Sequence, residues 1–198
     1  MFPFREVRAL HTATTIRVYQ AYSAEIGDAA LRAGTFVAPF KRGRMTWIKP
    51  SFLWMAYRCG WGRKPGQERV LGIDITRAGF DWALRNAALS HPDPALHSDD
   101  AEWRAQVRAR PVRVQWDPER NLRHSALTHR SIQIGLSGAA VDHYVDEWII
   151  AIADVTPTMR EIGALVQAGD LDAAGALLPA ECPYPLSGDL AATVGASG

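Results

Sequence analysis

Alternation of apolar and polar positions sets the opening of the chain. From Thr15 to Tyr22, Ile16, Val18 and Gln20 alternate with Arg17, Tyr19 and Ala21, the period of a strand. The period then lengthens. Ser23 offers an N-cap to a helix carrying Ile26, Ala29, Ala30 and Ala33, and Gly34 stops it. Thr35 to Val37 reads as a short return strand. Arg44 to Lys49 is a second candidate strand, and Pro50 and Ser51 open a helix through Tyr57 that ends at Gly60. Phe52 to Tyr57 is apolar nearly all round, so this helix is expected to be buried.

Further along, Gly60 to Gly66 is a basic, glycine-rich loop and Val70 to Ile75 a strand. Thr76 caps a helix with Phe80, Ala83, Leu84 and Ala87 on one stripe. A proline-containing loop from His91 to Asp99 precedes a short helix around Trp103 and Val107. Val112, Val114 and Trp116 alternate with Arg113 and Gln115 as a strand, and Asp117 to Arg120 has the chemistry of a turn. Ile132, Ile134 and Leu136 mark another strand. Val141, Tyr144, Val145 and Trp148 fall at helical spacing, Ile149 to Asp154 reads as a strand, Thr156–Pro157 starts a helix to Gly169, and Asp170 caps a last one to Pro179. Strands and helices mix without strict alternation, which predicts a single α+β domain over residues 5–185 followed by a loose tail at 186–198.

Composition changes this picture little. The 198 residues are 47% hydrophobic and 22% charged, ordinary for a globular chain long enough to bury roughly 70% of its unfolded surface. A net charge of +1 gives no overall field toward nucleic acid or membrane, so such binding must come from local clusters. Two distant cysteines, Cys59 and Cys182, make no disulfide framework and fit a reducing, cytoplasmic compartment. No apolar run approaches the roughly 20 residues that span a bilayer, and Met1 to Glu6 lacks the apolar core of a signal peptide. Seven tryptophans either fill a core or line a cleft where a planar ligand stacks.

Familiar catalytic strings are missing. There is no Walker loop, no dinucleotide fingerprint at Gly60–Gly66, no Gly-x-Ser-x-Gly and no Cys-x-x-Cys or His-Glu-x-x-His, so a metal site is not expected. Three segments nevertheless place polar residues beside regular structure. In the first strand, Arg17, Tyr19 and Gln20 offer hydrogen bonds to a ribose or amide, as would the solvated face of any amphipathic strand. Lys41 to Ser51 carries four cations, Thr46 and Trp47. Guanidinium forks such as Arg44 grip phosphate, Lys49 adds charge, and a helix opening at Ser51 adds free N–H groups; a solvated basic loop accounts for the same residues. In the third segment, Arg113 and Gln115 share one strand face and Ser131 and Gln133 another. Pairing of these strands would align four polar side chains, with Glu119, Arg120 and Arg130 nearby.

These strings carry a resemblance. The runs Val18 to Tyr22, Arg44 to Met55, Gln115 to Arg120 and Arg130 to Leu136 resemble an uncharacterised bacterial and fungal family, a domain of unknown function, over about residues 5 to 185. A second resemblance, in layout, is to the ADP-ribosyltransferase fold. It implies a central mixed or antiparallel sheet split by a cleft with helices packed around it. It also implies NAD as a substrate, gripped by Arg17, Arg44 or Lys49, with Tyr19, Trp47 and Tyr57 around the nicotinamide and Thr46 and Ser51 beside them. Gln20 then stands where a His often occurs, and Gln133 where the catalytic Glu belongs, with Glu119 as substitute. Arg113, Gln115, Arg120 and Arg130 would meet the acceptor, a nucleic acid or nucleotide. The alternative is a non-catalytic nucleic-acid or nucleotide-binding module built on the same cations and aromatics.

Overall fold

In the computed structural model, which describes residues 3–197, the strands sort into three sheets. Strand β1 (Arg8–Ala9) comes first. Strand β2 (Thr15–Tyr22) then leads into helix α1 (Ala24–Ala33). Helix α1 begins after Ser23 and ends on Gly34, whose φ of 72° is left-handed backbone that glycine adopts without strain. Strand β3 (Thr46–Ile48) follows. Helix α2 (Phe52–Cys59) is capped by the Ser51 hydroxyl, which accepts from Trp54 N at 3.0 Å. Strand β4 (Arg69–Thr76) runs into helix α3 (Arg77–Arg85), capped by Thr76. Then come β5 (Ala87–Leu89), α4 (Asp100–Ala109), β6 (Val112–Arg120) and β7 (Ala126–Leu136). Helix α5 (Ala139–His143) continues into a π-helical turn, Tyr144–Trp148, before β8 (Ile149–Asp154). The chain closes with α6 (Thr156–Ala168), α7 (Leu171–Ala176), β9 (Cys182–Pro183) and α8 (Gly188–Val194).

Strand β4 lies between β2 and β8, antiparallel to both. The second sheet has the order β3-β7-β6-β5, antiparallel except for the parallel β5–β6 pair, and β1 and β9 form a separate ribbon. One bridge joins the two larger sheets: Tyr19 N donates to Lys49 O at 2.7 Å and Lys49 N to Tyr19 O at 3.2 Å. Side chains of β2 alternate between two cores, as a strand's pleat requires. Ile16 and Val18 join Leu71, Ile73, Val114, Ile134 and Leu136 in the larger core. Tyr19 turns the other way and packs with Phe52, Met55, Ala56, Met159 and Ile162 from α2 and α6. The result is a mixed α+β domain with several sheets and, among the described residues, eight α-helices.

Five local expectations need correction. Thr35 to Val37 form no strand; Phe36 is instead buried against Tyr22 and Phe40 in an aromatic cluster. Ala87 belongs to β5 rather than to the α3 stripe. Asp117 to Arg120 continue β6, with the register shifting between Pro118 and Arg120, and the reversal comes at residues 121–125. Pro118 is tolerated there because an irregular pair does not need its missing N–H. The 186–198 segment carries α8, capped by Ser187, with Leu190 and Val194 buried and Val194 O accepting from Trp116 Nε1 at 2.7 Å. The last predicted helix to Pro179 ends at Ala176.

Candidate functional site

The two larger sheets diverge from the Tyr19–Lys49 bridge, and a cleft of about 740 Å³ opens between them. That volume falls within the roughly 300–1,000 Å³ common for small-molecule sites. Its walls come from the end of β2, the loop and strand through Lys49, the start of α2, and the polar face of β6 and β7.

The β2 side is a closed hydrogen-bond network. Gln20 Nε2 donates to Thr46 Oγ1 at 2.6 Å, to Tyr22 Oη at 2.8 Å and to Trp47 O at 3.3 Å. Gln20 Oε1 accepts from Tyr144 Oη at 2.7 Å, and the Tyr22 and Thr46 hydroxyls lie 2.8 Å apart. A buried amide with every polar atom satisfied fixes side-chain positions. Gln20 therefore aligns β2 with β3 and has little capacity left for a ligand.

The opposite side is built by register. Gln115 pairs with Gln133 across β6 and β7, and Asp117 pairs with Ser131. Both amides donate to one carboxylate: Gln115 Nε2 to Asp117 Oδ1 at 2.9 Å and Gln133 Nε2 to Asp117 Oδ2 at 2.6 Å. With the donors so engaged, the two amide oxygens accept no hydrogen bond among the described residues, and both glutamines line the cleft. Trp47 pairs with Gly135, and a Cβ at Gly135 would lie 3.0 Å from the indole and 2.9 Å from Met45 Sδ. A side chain there is excluded so that the Trp47 ring can lie on the sheet.

Positive charge collects around this cleft. Lys41, Arg44 and Arg58 line it, are exposed, and form no ion pair among the described residues. Arg42 differs, because Asp142 and Asp146 hold it. Lys49 lies deeper, 6% exposed; its Nζ donates to Trp47 O at 3.2 Å and sits 5.4 Å from the Trp54 ring centroid. Burial, with a smaller push from the nearby Arg58, drives its pKa down to about 7 against the opposing pull of Asp117. The Trp54 indole N–H is also buried and has no acceptor among the described residues.

The model of the domain of unknown function DUF4291 matches residues 6–184. The chain belongs to that family. No curated protein and no solved structure matches it. Within this family member, seven of the residues singled out from the sequence converge on the cleft: Gln20, Arg44, Thr46, Trp47, Lys49, Gln115 and Gln133.

Others do not reach it. Tyr19 is 1% exposed on the far side of β2 and packs edge-on against Phe52, because neighbouring residues of a strand cannot share a face with Gln20. Arg17 forms a bidentate pair with Asp74, at 2.8 and 2.5 Å. Tyr57 is stacked by Arg120, whose guanidinium carbon lies 3.8 Å from the ring centroid. Arg113 donates to Arg110 O at 2.7 Å, to Val112 O and to Val107 O, and thereby staples the end of α4. Arg130 lies over Phe4 and donates to Trp116 O at 3.0 Å. Ser51 caps α2 and meets Glu119.

Glu119 also lies outside the cleft lining. Burial pushes its carboxyl up, while Arg120 N, Ser51 and Ser131 hold it back. Beside it, Glu181 Oε1 accepts from Phe52 N at 2.7 Å, and burial raises that carboxyl to about 8, with Glu119 adding to the rise. These two acids anchor the N-terminus of α2 to the chain before β9. The sequence reading missed Asp117 and Arg58 as parts of the site. Asp117 is two residues from Gln115 in the same strand, so its parity would have placed it on the same face had Asp117 to Arg120 not been read as a turn.

Proposed function

We propose that the cleft binds a nucleotide, with its phosphates at Lys41, Arg44 and Arg58 and its ring against Trp47. The unpaired positive rim carries this reading. Three cations without carboxylate partners among the described residues leave a local charge that an anion of two or more charges neutralises, and guanidinium forks match phosphate oxygens. The amide oxygens of Gln115 and Gln133 supply acceptors for an exocyclic amine or ribose hydroxyl. Isothermal titration with ATP and NAD tests it. Arg44→Ala and Arg58→Ala should each weaken binding about tenfold, the loss of one charge-assisted contact. Wild-type binding unaffected by either substitution would count against the rim.

A second reading makes NAD the nucleotide and transfer of ADP-ribose the reaction. It is favoured by one observation: Gln20, Thr46, Trp47 and Gln133, all positions the layout resemblance singles out, meet at the cleft. Gln133 holds Asp117, so the carboxylate that stabilises positive charge on the ribose would be Asp117 rather than Glu119. NAD incubated with RNA, DNA and protein acceptors should then release nicotinamide, and Asp117→Asn should abolish the release. Nicotinamide release unchanged in that variant would remove Asp117 from the reaction. Binding without turnover would leave a nucleotide-binding module.

A further inference from the structure

Lys49 is a buried cleft residue whose environment a binding role does not require. A lysine that grips phosphate works as a charged ammonium, and the exposed Lys41 already offers one at the rim. Lys49 is instead buried with its Nζ 5.4 Å from the Trp54 ring centroid, with one carbonyl for three N–H donors and no carboxylate in contact among the described residues. Its backbone is clamped in the bridge to Tyr19, so the stem is fixed where the two sheets part. An apolar residue of similar length would fill this space without the desolvation cost.

We propose that Lys49 is a nucleophile: its Nζ takes the nucleotidyl group from a pyrophosphate-bridged nucleotide held in the cleft. The inference rests on the nucleotide reading and deepens it. A desolvated lysine beside another cation is held as the free amine, the form with a lone pair. Burial and Arg58 lower the Lys49 pKa to about 7, so much of it is uncharged near neutral pH. The cations of the rim select a phosphoryl electrophile over a neutral carbonyl, because they stabilise charge on the phosphoryl oxygens and on the departing group. In the step, the Nζ lone pair forms a bond to the α-phosphorus. The bond from that phosphorus to the bridging oxygen breaks. Pyrophosphate leaves from a nucleoside triphosphate, or a mononucleotide from a dinucleotide such as NAD, and the Nζ proton passes to solvent. The product is a phosphoramidate on Lys49, ready to pass the nucleotidyl group to an acceptor.

The test uses the full chain with each α-³²P-labelled nucleoside triphosphate, and separately with NAD labelled at its adenylate phosphorus, in Mg²⁺ buffer. A radioactive band on a denaturing gel, lost in acid and stable in base, is expected from one of these donors. Which donor labels distinguishes the two sources. Lys49→Arg and Lys49→Met should lower the label at least about tenfold, the size expected for loss of a nucleophile. Peptide mapping should place the adduct on the segment containing Lys49. Labelling should also rise with pH through about 7, with Arg58, Asp117 and Cys59 as the charged or titrating groups around the amine. Undiminished label in both variants, or an adduct mapped elsewhere, overturns the proposal. Nucleotide binding by titration without any label overturns it while leaving the nucleotide reading intact; no binding and no label removes both.

Discussion

Replacing Lys49 by methionine should make the protein more stable, and by an amount that depends on pH. The lysine pKa falls from 10.5 to about 7 on folding, chiefly through burial. At about 1.4 kcal/mol per unit, this corresponds to about 5 kcal/mol against folding when the amine is charged in both states. The sign follows from proton counts. Between about pH 7 and 10.5 the unfolded chain holds a proton that the folded one has lost, so wild-type stability from this group rises with pH. Methionine fills a similar volume and gives up the bond to Trp47 O, about 1 kcal/mol, while its thioether keeps a contact with the Trp54 ring in place of the ammonium. Lys49→Met should therefore gain about 4 kcal/mol near pH 6 and close to nothing near pH 10. Urea unfolding of both proteins across that range gives the difference curve, in which groups common to both cancel. A difference that is flat with pH, or a variant less stable than wild type near pH 6, would refute the buried, unpaired amine.

Three further outcomes follow from the same geometry. Gly135→Ala forces a Cβ into the Trp47 ring and should cost about 1–3 kcal/mol in urea unfolding while weakening nucleotide binding; unchanged values would mean that the ring does not lie on the sheet. Glu181→Gln removes a carboxyl whose pKa is raised to about 8 by burial, so the wild type should lose stability relative to the variant as pH rises from about 5 to 8, by a few kcal/mol; parallel stability–pH curves would refute it. Raising salt should weaken nucleotide binding in wild type more than in Arg44→Ala, read by titration at two ionic strengths, because exposed charges are screened.

Much of the architecture was legible because it follows from local rules. The alternation in β2, the Ser51 and Thr76 caps, and the stops at Gly34, Gly60 and Gly169 each act within a few residues. The pairing of Gln115 with Gln133 was also foreseeable, since both sit at polar positions of alternating strands. What escaped depends on distant partners. Tyr19 carries a polar tip, yet a second core under α2 absorbs it. Arg17 was a candidate for phosphate until the β2–β4 register set Asp74 opposite. Helix α8 was hidden by its alanines and glycines, and only its docking on Trp116 gives Leu190 and Val194 something to cover. The burial of Lys49 is likewise a property of the two sheets meeting, not of its neighbours in sequence.

The most direct measurement is a crystal structure of the chain grown with the nucleotide it binds tightest in titration. The account expects density for phosphates between Arg44 and Arg58, a ring on Trp47, and Gln115 and Gln133 facing the ligand's polar edge. Nucleotide density found away from these residues, with the cleft holding only solvent, would contradict it.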